Sequence, residues 1–169
     1  MRFVTAPVFP PVWGQDQKVR GIAVTQELGD WSVSQGARLD LRNVGSKPGF
    51  PVVFLQGEFD IETVPEIDRF LRRSFGPLFY KRHIVLDLNE VTSVDSIFIG
   101  FVVGLVRRLH AERKELVLTR PVGHVRRVLS LIGVPNLVPV YDSLDEAVTA
   151  VMSESLPAIP PLFSAAPAV

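Results

Sequence analysis

The run Val94-Asp95-Ser96-Ile97-Phe98-Ile99-Gly100 sets a hydroxyl between a strand-like segment, residues 83–88, and a long apolar helix-like one. A serine at that junction suits a helix N-terminus, where free N–H groups and the positive end of the helix dipole favour its oxygen. The same place accepts a phosphate. Ser96 therefore has two readings: a plain helix cap, or a switch that gains about two negative charges when phosphorylated. Carboxylates lie close by. Glu58 and Asp60 flank Phe59 after one strand, and Asp87 and Asp95 flank the next. In a parallel sheet the loops that follow the strands share one edge. Glu58, Asp60 and Asp95 could thus gather near Ser96, either as solvated loop and cap residues or as a recognition edge.

Catalysis has little to work with. Ser96 has no histidine near it in sequence, and the elbow Gly-x-Ser-x-Gly is absent. His83, His110 and His124 are scattered, with no His-x-x-x-His pair to hold a metal. No glycine-rich phosphate loop follows a strand. Gly100 and Gly104 fall inside a helix, where their spacing suits close helix–sheet packing. An enzyme is not expected, and neither a cofactor nor a metal is called for.

The elements that position these residues are visible in the patterning. Arg38-Leu39-Asp40-Leu41-Arg42 alternates as a half-buried or edge strand does, residues 45–49 read as a hairpin turn, and 52–55 read as a buried strand. Thr63 and Glu66 form a capping box around Pro65, with Ile67, Phe70, Leu71 and Phe75 following at helical spacing. Residues 84–88 are continuously apolar except for Asp87, as a central strand should be. A helix is predicted over 97–113, a strand over 116–118 and a helix over 122–131. A short strand follows over 137–140, where Pro139 suggests a sheet edge. Ser143 and Glu146 open a last helix, to about Met152. The order β-β-α-β-α-β-α-β-α predicts a single α/β domain. Its sheet is mixed and mostly parallel, with about four helices packed on it.

Three zones divide the 169 residues. Residues 1–36 form an N-terminal extension, either docked or loose, in which Ile22-Ala23-Val24 could be a short strand. Residues 37–155 hold the domain, and 156–169 read as a proline-rich disordered tail. Lys plus Arg equals Asp plus Glu, 18 each, which gives no reason to expect nucleic acid or an anionic membrane. There is no cysteine, so disulfides and thiol chemistry drop out. No signal peptide is evident, and the longest apolar run is too short to span a bilayer. A cytoplasmic protein without membrane insertion is expected.

The blocks Phe54-Leu55-Gln56-Gly57-Glu58-Phe59-Asp60 with Thr63, Ile84-Val85-Leu86-Asp87-Leu88, and Val94-Asp95-Ser96 with Gly100 resemble a STAS domain of the anti-anti-sigma factor type. Residues 113–118, 125–129 and 143–147 fit as well, so the resemblance covers about 37–152. It implies an anti-sigma factor antagonist acting in signal transduction and the regulation of transcription. The implied partners are an anti-sigma serine kinase with a GHKL-type fold and a PP2C-type phosphatase; a homodimer is left open by the sequence. Ser96 matches the family's phosphorylated serine. Glu58, Asp60, Asp95, Ile97, Phe98 and Gly100 join it as the implied partner-binding edge. The chain departs from the family at Ile97, where serine or threonine is usual, and at Phe98, where the motif has glycine. Phe98 is expected either to fill the groove a kinase loop would use or to make a new contact. The alternatives are a non-phosphorylated STAS scaffold in a stressosome-like or transporter-associated assembly, and a small-molecule-sensing STAS domain.

Overall fold

The computed structural model describes residues 24–32, 37–44 and 50–153. The expected turn over 45–49, the tail over 156–169 and most of the N-terminal extension lie outside them. Six strands form one sheet, in spatial order β1-β2-β3-β4-β5-β6. They are β1 (Val24–Ser32), β2 (Arg38–Val44), β3 (Phe50–Phe59), β4 (Ile84–Val94), β5 (Leu116–Thr119) and β6 (Val140–Tyr141). The first two pairings are antiparallel and the remaining three are parallel. The helices are α1 (Val64–Phe75), α2 (Ser96–Ala111), α3 (Gly123–Ile132) and α4 (Leu144–Met152).

Most expected elements are present, and β6 is the sheet edge, but it is shifted from the expected 137–140 to Val140–Tyr141, so Pro139 precedes the strand rather than lying in it. Of the short strand expected at 22–24 only Val24 lies among the described residues, and it opens β1, a nine-residue strand of which seven residues have partners on β2. It is β1, not β2, that forms the antiparallel edge. Two register shifts, at Val24/Gln26 and Glu27/Gly29, interrupt it. Bulges of this kind twist an edge strand away from further pairing.

β4 shows why the core forms. Ile84 through Leu88 are all buried, so both faces of this strand are covered. Ile84, Leu86 and Leu88 join the cluster packed by α1, α2 and α3, with Ile67, Leu71, Val102, Leu105 and Val125. Val52, Val85 and Val117 face the other way, onto Leu144, Ala147, Val148 and Val151 of α4. Alternation along the strands sorts residues between the two layers.

Asp87 belongs to this second face and not to a strand-end cluster. It is 2% exposed. Arg120 grips it through two bonds, Nε to Oδ2 at 2.7 Å and Nη2 to Oδ1 at 2.9 Å. Such a fork matches the planar guanidinium to both carboxylate oxygens. Arg120 sits at φ +53, and its N–H donates to the Tyr141 carbonyl at 2.8 Å. The pair and this bond together tie the first half of β4 to the C-terminal ends of β5 and β6.

Candidate functional edge

β3 and β4 run parallel, with Glu58 beside Ser93 and Phe59 beside Val94. The Asp95 N–H donates to the Phe59 carbonyl at 3.3 Å, so the two strand ends are tied. Glu58 and Asp60 at the end of β3 and Asp95 and Ser96 after β4 therefore emerge side by side, as the parallel-sheet argument predicts.

Asp95, and not Ser96, caps α2. Its backbone is extended, and its Oδ1 accepts from the Ile97 N–H at 2.8 Å and the Phe98 N–H at 3.0 Å. The Ile99 N–H reaches its carbonyl at 3.2 Å. Ser96 becomes the first helical residue. It is exposed, and its hydroxyl makes no hydrogen bond among the described residues. The helix start has thus engaged a carboxylate and left the neighbouring hydroxyl to solvent. Removing the cap in Asp95→Ala should cost about 1 kcal/mol of stability while leaving the fold intact. Chemical denaturation would measure it; a loss below about 0.3 kcal/mol would contradict the assignment of the cap.

A second correction concerns Thr63. Its side chain does not cap α1. It is 1% exposed and lies between the loop and the strand end. Its Oγ1 accepts from the Asp60 N–H at 2.8 Å, and its proton is in reach of the Glu58 carbonyl (3.1 Å) and Asp60 Oδ1 (3.0 Å). Asp60 Oδ1 also accepts from the Glu62 N–H at 2.9 Å and the Thr63 N–H at 3.1 Å. These donors hold the Asp60 carboxyl below its ordinary range, the Thr63 amide contributing most, then the Glu62 amide, then the Thr63 hydroxyl. Asp60 stays ionised and shapes the loop. Glu66, the other half of the expected capping box, bonds Arg69 instead.

The expected edge residues divide. Glu58, Ser96, Ile97 and Gly100 are exposed, and Asp60 and Asp95 are partly so. Phe98 is not on the edge: it is 0% exposed, with its ring 6.0 Å from that of Phe59 and tilted by 49°. The first turn of α2 points it into the core, along with Val102, Leu105 and Leu109. The new surface contact expected of Phe98 is thereby overturned, because its ring is spent in the core.

Gly100 and Gly104 lie on the opposite side of the helix. A Cβ added at either would meet no atom within 4 Å, so they are not there for close helix–sheet packing. One edge residue escaped the sequence reading. Ile61 is 67% exposed in the loop after β3, and Ile97 is 41% exposed at the start of α2. An isoleucine flanked by Asp60 and Glu62 was the available signal: an apolar side chain among loop carboxylates has no core to enter.

One edge of an open α/β sheet thus carries an exposed serine beside the Asp95 helix cap, with Asp60 on the neighbouring strand end and the exposed side chains of Ile61 and Ile97. The chain belongs to the STAS-domain family, whose profile matches residues 42–147. It is 30% identical over 98 residues to the anti-sigma-B factor antagonist of Staphylococcus aureus, covering 57% of this chain and 87% of that protein. The fold is similar to that of an anti-sigma factor antagonist from Mycobacterium paratuberculosis, with TM-score 0.56 and 24% identity over 72% of this chain and 99% of the other. It is also similar to unphosphorylated SpoIIAA, with TM-score 0.54 and 21% identity over 71% and 99%.

Proposed function

We propose that this chain is an anti-sigma factor antagonist, a cytoplasmic binding protein switched by phosphorylation of Ser96. The exposed, unengaged hydroxyl beside the Asp95 cap carries the reading. A GHKL-type anti-sigma serine kinase is its partner and a PP2C-type phosphatase its eraser. The unphosphorylated edge docks on the kinase through Ile61, Ile97 and the open surface at Gly100. Glu58, Asp60 and Asp95 set its charge. Phosphoryl transfer from ATP to Ser96 Oγ releases ADP, and the hydroxyl proton passes to a base of the kinase.

The helix terminus does not simply absorb the new anion. The Ile97 and Phe98 amides are already held by Asp95. The phosphate therefore adds its charge beside an existing carboxylate, in a surface that must be desolvated to bind. With Phe98 buried, the bulky residue that would have favoured a different, scaffold-type partner is out of reach. Incubation with the cognate kinase and ATP, followed by peptide mass spectrometry, should place one phosphate on Ser96 and none in Ser96→Ala. Phosphate on another residue, or none from a kinase active on a known substrate, would remove the switch.

A further inference from the structure

The equal totals of cations and carboxylates conceal a segregation along the strands. α1 and α2 run back from the Ser96 edge and end at the opposite pole, where β4 and β5 begin. Exposed cations collect at that pole. Arg73 lies in the last turn of α1, Lys81 and Arg82 precede β4, Arg107 lies near the end of α2, and Arg113 precedes β5 with half-buried Lys114 beside it. Arg72 and Arg108 share Asp68 nearby. The carboxylates closest in sequence to the last group are Glu112 and Glu115, and Glu115 is engaged with His110 at 2.9 Å. At the Ser96 pole the sign reverses: residues 55–63 and 91–100 contain Glu58, Asp60, Glu62 and Asp95 and no Lys or Arg.

An apolar side chain stands among the cations. Leu78 is 50% exposed, on the turn that leaves α1 at Gly76 (φ +76) and passes Pro77 into a 3-10 turn, Phe79–Lys81. The turn is braced at both ends. The Arg72 guanidinium lies 5.6 Å from the centre of the buried Phe79 ring, and that of Arg82 lies 5.6 Å from the Phe75 ring. Cation–π contacts of this kind hold the two arginines against the aromatic residues on either side of the turn that carries Leu78.

The geometry points to this pole as a docking surface for an anionic lipid bilayer. Lysines and arginines near such a surface are drawn to the headgroup phosphates, and an exposed aliphatic residue gains by entering the acyl boundary. A nucleic acid would use the same cations but would give Leu78 nothing. The binding is peripheral, since among the described residues no helix is long and apolar enough to cross a membrane. α2 has 16 residues and rises about 24 Å, so the Ser96 edge faces away from the bilayer and remains open to a partner.

Flotation of the full 169-residue chain tests this. Vesicles of phosphatidylcholine with about 30 mol% phosphatidylglycerol should bind at least about tenfold more protein than pure phosphatidylcholine. Salt at about 0.5 M should abolish the difference. Leu78→Ser and the double variant Lys81→Glu/Arg82→Glu should each reduce binding by about tenfold, with far-UV circular dichroism confirming that they fold. Ser96→Asp should bind vesicles as the unmodified chain does, so this docking and the Ser96 switch stand or fall separately. Equal partition onto both vesicle types would overturn the proposal. So would anionic binding that Leu78→Ser leaves intact. Binding to a DNA duplex without binding to vesicles would assign the pole to nucleic acid instead.

Discussion

Phe98→Ala should lower the unfolding free energy by about 3–5 kcal/mol, a large part of what holds a domain of this size together. The ring is fully buried and packs against Phe59, itself 1% exposed, within the cluster that joins α2 to β3 and β4. Truncation loses the transfer energy of the ring and leaves a cavity that the strands around it can only partly close. Urea denaturation followed by circular dichroism would read the loss. Phe98→Leu keeps most of the volume and should cost roughly 1–2 kcal/mol. A double-mutant cycle with Phe59→Leu should show a coupling of about 0.5–1.5 kcal/mol between the rings. A surface Phe98 would give almost no change on truncation, so a loss below about 1 kcal/mol contradicts the packing.

The helix phase explains why Phe98 was hard to place from its motif. Asp95 and Ser96 are both good capping residues, and either can start the helix. Each residue of shift turns the face by about 100°. The apolar positions resolve it: Phe98, Val102, Leu105 and Leu109 recur at intervals of four, three and four, and all are buried. That stripe was legible without coordinates and puts Gly100 and Gly104 on the far side. Other features left weaker traces. β1 carries Gly29 and two register shifts, so its alternation is broken and its pairing depends on β2 rather than on its own residues. Thr63 looked like a cap because caps and loop braces use the same hydroxyl; only the neighbouring strand end shows which bond it makes. The Asp87–Arg120 pair joins β4 to the residue just after β5, 33 positions away, and no local spacing announces it. The central strand was plain from the apolar run of β4, which needs no partner information to be recognised as covered on both sides.

Ser96→Asp should weaken docking to the proposed anti-sigma kinase by about tenfold or more, and Ser96→Ala should leave it near the unmodified value. The contrast follows from the local charge. Asp60 is kept ionised by its three donors, Asp95 is committed to the helix cap, and Glu58 is exposed beside them. A further carboxylate at Ser96 finds the Ile97 and Phe98 amides already taken by Asp95 Oδ1. The added charge must then be desolvated at the interface next to Ile97, where a partner would bury apolar surface. The fold should tolerate the change, because an acidic residue in the first turn is favoured by the helix dipole even as it is repelled by Asp95. Isothermal titration at low and high salt separates the two contributions: the repulsive part shrinks as the Debye length falls, and the desolvation part does not. Equal affinities for the aspartate and alanine variants would place Ser96 outside the interface. Weakening by alanine as well would mean that the hydroxyl itself makes a contact, and that the switch acts by removing a bond rather than by adding charge.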